Sequence, residues 1–368
     1  MSSENSVIKN IMIVIAFVVG IFLLGLVSFY VNRMMSGEAK RKQTEEKEAI
    51  RKEFNQYGLL GNEVLSKKVL YEPGNYVIYS DRILKKLSIS EESAQGALSR
   101  AQALSEMFPE KPVVVLPVPK RIMTEERSFG SRDIYDGFIK NLRSHNDNKN
   151  IRIADPSKKL EQSSEFTYFR TKDGWTMNGA YYGYREVMSL LGGESLGLEQ
   201  FIYFQSNDFS GGLKNDCRAA KDFTPEMEEV VDVIPRDPFV YRVSRGFKDY
   251  ETYYDKKAEK ELKGPVISLL SQGIVGDGID YAVLEGNGSG ILLIVGDGES
   301  KMMAPYFTEH YEKVILIDVG ECKTDDFTSM ISDIKVDAVV IAQAVDKIGL
   351  SAYSKTLNGL VKKDGSSD

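Results

Sequence analysis

The stretch 296–300, Gly-Asp-Gly-Glu-Ser, looks like the nucleophile loop of a hydrolase from which the nucleophile is missing. It follows an apolar segment, 291–295, and runs into Ala304-Pro305-Tyr306, where a helix is predicted to begin. A strand, a glycine turn and a helix together form the arrangement in which an α/β enzyme presents a reactive serine. Here the slot after Gly296-Asp297 holds Gly298, which has no side chain. The spacing therefore predicts an α/β fold and argues against its usual chemistry.

A second distinctive stretch contains the only tryptophan of the chain, Trp175. It reads Lys-Asp-Gly-Trp-Thr over 172–176 and precedes a segment with helical periodicity, 180–191. Because Thr and Asn are favoured helix caps, we expect Thr176 or Asn178 to begin this helix. A tryptophan in such a place either fills the core or stacks on a ligand, and the sequence leaves both roles open.

The second stretch resembles the signature of the DHHW family of bacterial envelope proteins, in which Asp-His-His-Trp-Thr is followed by Gly-Ala-Tyr-Tyr. Residues 172–176 and 179–182 stand at those places. The stretch is also similar to the Asp-x-His-Trp of alginate O-acetyltransferase relatives. The resemblance implies an SGNH-hydrolase-like, three-layer αβα domain with a mainly parallel sheet, held outside the membrane by one N-terminal helix. It extends to 117–119, 209–212, 295–300 and 304–318.

In the proteins that this chain resembles, an Asp and a His of the signature meet a later Ser in a triad for acetyl transfer or ester hydrolysis. By position, the Asp slot is Lys172, the His slot is Gly174 and the Ser slot is Gly298. Glycine supplies neither a nucleophile nor a base, and lysine reverses the charge of the carboxylate. Loss of the nucleophile or the base reduces the rate of triad enzymes by a factor on the order of 10⁴–10⁶. The resemblance therefore implies a silent site.

Two neighbouring residues offer an alternative chemistry. Ser300 could act as a displaced nucleophile if a desolvated Lys172 served as its base. Otherwise Ser300 is expected to cap a helix and Lys172 to lie in an exposed loop. The two histidines are poor bases for this site, since His145 falls in a polar loop and His310 follows Ser300 by roughly 15 Å of helix.

A membrane anchor is predicted near the N-terminus. Residues 11–31 carry no charge, and at ~1.5 Å per residue they span the ~30 Å hydrocarbon core. The run is longer than the apolar part of a cleavable signal peptide, about 7–15 residues. Basic residues after the span favour a cytoplasmic domain by the positive-inside rule, whereas the family resemblance implies export. We expect a single-pass membrane protein whose large domain is extracellular.

The rest of the chain alternates between strand-like and helix-like segments. Continuous apolar runs predict strands buried on both faces, and their alternation with helices towards the C-terminus predicts βαβ units. The predicted strands are 76–79, 113–116, 151–153, 201–204, 239–243, 281–284, 291–295, 314–317 and 338–341. The predicted helices are 91–107, 133–142, 180–191, 304–311 and 325–334. The predicted regions are a tail (1–10), the anchor (11–31), a helical stalk (32–56), the SGNH-hydrolase-like domain (57–360) and a disordered tail (361–368).

Composition restricts the classes of partner. The net charge of -7 argues against nucleic acid, because phosphate binding requires a basic face. Cys217 and Cys322 are the only cysteines and form no metal-binding motif, so neither a metal nor a cofactor is expected. They could pair in an exported protein, although free thiols are favoured.

Three functions are compatible with these patterns. The first is a catalytically inactive DHHW-type protein of the bacterial cell envelope that binds or scaffolds in surface-polysaccharide O-acetylation. Its expected partners are a membrane-bound O-acyltransferase and a cell-surface polysaccharide. The second is an active O-acetyltransferase or esterase that uses Ser300 with Lys172. The third is a structural membrane protein without a small ligand. For the first function, the expected cleft residues are Lys172, Asp173, Trp175, Asp297 and Ser300.

Overall fold

The structure is a computed structural model that describes residues 69–125, 130–163, 166–209, 211–217, 228–235, 240–244, 281–320, 322, 331–332, 334–350 and 357. The predicted N-terminal tail, anchor and stalk (1–10, 11–31 and 32–56) lie outside these residues, as does the tail 361–368. None of the helices within the described ranges combines the length and the hydrophobicity that a membrane span needs.

A seven-stranded, mainly parallel sheet forms the centre of the fold. In chain order the strands are β1 (Val69–Tyr71), β2 (Tyr76–Tyr79), β3 (Ile83–Lys85), β4 (Val113–Val118), β5 (Ile151–Ile153), β6 (Phe201–Phe209), β7 (Glu228–Pro235), β8 (Val240–Ser244), β9 (Tyr281–Glu285), β10 (Ile291–Gly296), β11 (Lys313–Asp318) and β12 (Ala338–Ala344). The central order is β5-β4-β12-β10-β11-β9-β8. The first five strands of this order run parallel, whereas β9 is antiparallel to both β11 and β8. Antiparallel pairing also forms two smaller sheets, β1-β2-β3 and β6-β7.

Helices cover both faces of the central sheet. They are α1 (Glu91–Met107), α2 (Arg121–Glu125), α3 (Ser131–Ser144), α4 (Ser157–Gln162), α5 (Met177–Leu191), α6 (Leu213–Asp216) and α7 (Gly298–Met303), with 3₁₀ turns at Leu198–Gln200 and Ala304–Phe307. In β10, Leu292 and Ile294 join the core under α5, whereas Leu293 and Val295 join the core under α1 and α3. Because alternate residues of a strand point to opposite faces, each face has its own apolar core. This three-layer αβα arrangement fits the SGNH-like fold that the resemblance implies.

The helix after the glycine loop begins earlier than the sequence predicts. It was expected at 304–311, but α7 starts at Gly298 because the carboxylate of Asp297 accepts the backbone N–H of Glu299 at 3.0 Å and caps it. Pro305 lacks the backbone N–H that would continue the i→i−4 hydrogen bonds, although Ala304 before it still has α dihedral angles. The α-helix therefore ends at Met303, and a 3₁₀ turn follows. Most of the other predicted C-terminal helix, 325–334, lies outside the described residues.

Candidate functional site

The two stretches that the sequence singles out lie against each other at the carboxyl end of β10. The indole Nε1–H of Trp175 donates to the backbone carbonyl of Glu299 at 3.0 Å. The backbone N–H of Trp175 donates to the side-chain carboxylate of Glu299 at 3.2 Å. The carboxyl ends of parallel strands are where α/β proteins place their ligand sites. The loop around Trp175 and the loop around Glu299 are therefore in direct contact.

Local hydrogen bonds fix the loop that carries Trp175. Tyr168 and Trp175 form an isolated antiparallel bridge, which closes the loop into a hairpin-like turn. Thr176 then caps α5, since its hydroxyl oxygen accepts the N–H of Gly179 at 3.4 Å and its O–H donates to the carbonyl of Phe166 at 2.6 Å. The loop is thus anchored at both ends, and residues 172–175 have a defined position.

The two glycines in the triad slots have opposite surroundings. Gly298 is exposed, and a Cβ added there would have no atom within 4 Å. At Gly174 a Cβ would lie 2.4 Å from Oε1 of Glu299. The serine slot is therefore open to solvent, whereas the histidine slot is filled by a carboxylate. Lys172, in the third slot, is half-buried, with its Nζ 5.3 Å from the ring centre of Phe169.

A buried lysine that follows β4 ties the loops together. Nζ of Lys120 donates to the backbone carbonyl of Asp173 at 2.9 Å and lies 3.3 Å from the Asp173 carboxylate and 3.6 Å from that of Asp346. Burial alone would lower the pKa of Lys120, but Asp173, Asp346 and Glu299 raise it above its ordinary value. Lys120 therefore stays charged and is neutralised by carboxylates, as a buried ion requires.

The acidic residues of the glycine loop are also buried. The Asp297 carboxylate accepts the N–H of Ala344 at 3.1 Å in addition to that of Glu299. Burial raises the pKa of Asp297, and Lys347 and Lys120 oppose the rise. Burial likewise raises the pKa of Glu299, opposed by Lys120 and Lys172.

The pKa of Lys172, the half-buried lysine of the site, is lowered. Burial lowers the pKa of Lys172, and the Glu299 carboxylate opposes that change. Several perturbed groups in one place are typical of a functional site, although structural ion-pair networks produce the same shifts.

Several predicted site residues do not face solvent. Ser300 is 0% exposed, and its hydroxyl donates to the backbone carbonyl of Asp297 at 2.6 Å. Trp175 is also 0% exposed and belongs to the core under α5. The expected roles of Ser300 as a nucleophile and of Trp175 as a sugar-stacking residue therefore find no support in this geometry. Of the predicted cleft residues, Lys172 and Asp173 are half-buried, whereas Trp175, Asp297 and Ser300 are buried.

Neither histidine lies in this cluster. Nε2 of His310 hydrogen-bonds the hydroxyl of Tyr184 at 2.6 Å, and His145 is exposed at the end of α3. Both cysteines, Cys217 and Cys322, are buried. Across the described ranges, no three His, Cys, Asp or Glu side chains come together as a metal ion would require.

Lys120 is the site residue that sequence reasoning missed, and Glu299 was noted only as a neighbour of the empty slot. The available signal for Lys120 was its place directly after the buried strand β4 and two prolines. A charge at the carboxyl end of a parallel strand points to the edge where ligands bind. Its partners, at 173 and 346, are too distant in sequence to be inferred from any local pattern.

Comparison with solved structures agrees with the fold. A DHHW family protein from Eubacterium siraeum DSM 15702 superposes with a TM-score of 0.62, at 16% identity over 77% of this chain and 93% of that one. Bacillus cereus PatB1 superposes with a TM-score of 0.58, at 14% identity over 76% of this chain and 99% of that one. No protein-family model and no curated protein matches the chain. The chain therefore has the fold of the DHHW family protein and of PatB1, as its signature-like stretch around Trp175 implies.

Proposed function

We propose that this chain is a membrane-anchored, catalytically silent domain of the bacterial cell envelope that binds or scaffolds rather than converts. The carrying observation is the contrast between the two glycine slots: Gly298 is open and Glu299 fills the place beside Gly174. Ser300, the nearest hydroxyl, points into the protein and is hydrogen-bonded there. No nucleophile and base stand together among the described residues of the two loops.

The envelope setting of this proposal rests on the fold and on the predicted anchor at 11–31. By the family resemblance, the domain works in surface-polysaccharide O-acetylation, beside a membrane-bound O-acyltransferase. Among the predicted cleft residues, Lys172 and Asp173 are more exposed than Trp175, Asp297 and Ser300, so a polysaccharide would contact them first. A structural role without a small ligand is the second candidate, and the burial of Trp175 favours it. Binding of a surface polysaccharide by the full chain would favour the first.

Covalent labelling with a sulfonyl fluoride tests the proposed lack of catalytic activity. One structure of Bacillus cereus PatB1 contains a sulfonyl adduct. We expect the full-length chain in detergent to form no such adduct with a sulfonyl fluoride, because Ser300 is buried and no base adjoins it. The measurement is intact-protein mass spectrometry, with ester hydrolysis followed in parallel. An adduct that forms on the wild type and is absent from Ser300→Ala would contradict the proposal and support the displaced-serine enzyme.

A further inference from the structure

At Gly174, space is restricted by the Glu299 side chain, whereas the backbone conformation places no restriction on the residue type. The φ of Gly174 lies outside the left-handed region, so the backbone there suits any residue. A Cβ would nevertheless lie 2.4 Å and 2.9 Å from the two carboxylate oxygens of Glu299, and 3.0 Å from the carbon between them. The two contacts with the oxygens are shorter than real Cβ atoms show, so the Glu299 carboxylate occupies the space of the missing side chain and would have to move if one were added.

Glu299 is held in that room by specific partners. Its Oε2 accepts the backbone N–H of Trp175, and its own backbone carbonyl accepts the indole N–H of the same residue. Lys120 and Lys172 both favour its negative charge electrostatically. The peptide N–H is the one direct hydrogen bond to this carboxylate, and the two lysines act on it through their charge.

We propose that the Glu299 carboxylate is a built-in ligand, which fills the place of the side chain missing at Gly174 within a receptor for one small carboxylate formed by Trp175, Lys120 and Lys172. The inference rests on the proposed function, because it accounts for how the site is kept closed. Truncation of Glu299 to alanine removes one CH₂ and one carboxylate, which together have the size of acetate. Gly298, which precedes Glu299 in sequence, is exposed to solvent.

Acetate titration of the full-length chain in detergent tests the receptor. We expect Glu299→Ala to have a lowered midpoint of thermal unfolding that acetate raises saturably by about 2–4 °C, at constant ionic strength against chloride. The wild type and Glu299→Gln, in which the place stays filled, should not respond to acetate beyond chloride. An equal response of all three proteins, or none in Glu299→Ala, would overturn the receptor.

A double variant tests the shared space independently. Gly174→Ala should lower the midpoint in the wild type, because its methyl group overlaps Glu299. In the Glu299→Ala background the same change should cost little and should abolish the acetate response. Additive effects of the two substitutions would overturn the proposal. These unfolding measurements involve no ester chemistry. Adduct formation on the wild type would therefore contradict the proposed lack of catalytic activity without affecting the test of the acetate receptor.

Discussion

At the residue scale, the site is a network of buried charged side chains beside one exposed glycine, Gly298. The pKa of Glu299 is raised by burial, against Lys120 and Lys172. A carboxyl whose pKa is higher in the folded state contributes stability below its ordinary pKa, near 4.5, and that contribution is lost as the pH rises through the folded-state pKa. The contribution of Glu299 to the free energy of unfolding should therefore be larger in mild acid than at neutral pH.

Replacement of Glu299 by glutamine should remove this dependence. We expect the difference in free energy of unfolding, wild type minus Glu299→Gln, to be largest at low pH and to decrease as the pH rises above 4.5. Urea unfolding at a series of pH values between 4 and 8 measures it. A difference that is constant or grows with pH would refute the assigned direction.

Asp337 supplies a control of opposite sign. The backbone N–H of Ile291 and the Lys111 ammonium lower the pKa of Asp337. Its contribution is therefore present above pH 3.8 and is lost as the pH falls through the folded-state pKa. Because its side chain is half exposed, the Asp337→Asn effect should stay below about 1 kcal/mol.

Sequence reasoning at this scale found the two loops but not the charges between them. Gly174 and Gly298 were identified as vacant slots from their positions in the family resemblance. Only the fold distinguishes them, because the Glu299 side chain reaches across from the second loop to the first. The burial of Trp175 and Ser300 could not be predicted from the sequence either, since both residue types occur in cores and in clefts.

At the scale of elements, local patterns were sufficient where an element is fixed by its own residues. β2, α1 and β5 have the predicted bounds, because their apolar patterns are local. The strand predicted at 201–204 extends to Phe209 because it pairs with β7, which the sequence did not predict. Short helices such as α4 lack enough turns to show a period.

The cap of α5 is the element-scale feature on which the signature-like loop depends. Thr176→Ala removes both hydrogen bonds of the hydroxyl and should cost about 1–2 kcal/mol of unfolding free energy. Thr176→Ser keeps the hydroxyl and should recover most of this loss. Urea unfolding at neutral pH compares the two variants. Equal destabilisation by both would show that the methyl group, and not the cap, is what matters.

At the scale of the whole molecule, the mainly parallel sheet was predictable because βαβ alternation leaves few other topologies. The reversed direction of β9 between β11 and β8 was not, since no local pattern encodes the direction of a strand. The predicted anchor at 11–31 and the export of the domain stay predictions, because they concern residues outside the described ranges.

Membrane orientation can be tested with an introduced thiol. Lys140 lies exposed on α3, whereas both native cysteines are buried. We expect Lys140→Cys to react with a membrane-impermeant maleimide in intact cells, because the family resemblance implies an extracellular domain. The unsubstituted chain is the control for the buried thiols. Labelling that requires cell lysis would place the domain in the cytoplasm and withdraw the envelope function.

The open space at Gly298 also makes this position suitable for attaching a spectroscopic probe. A Cβ added there meets no atom within 4 Å, the residue is exposed, and Glu299 follows it directly in sequence. Since the chain's own thiols are shielded, a fluorophore attached through Gly298→Cys would report selectively on its immediate surroundings. A fluorophore at this position, where the related enzymes carry their reactive serine, would therefore report directly on ligand binding to the neighbouring charged groups.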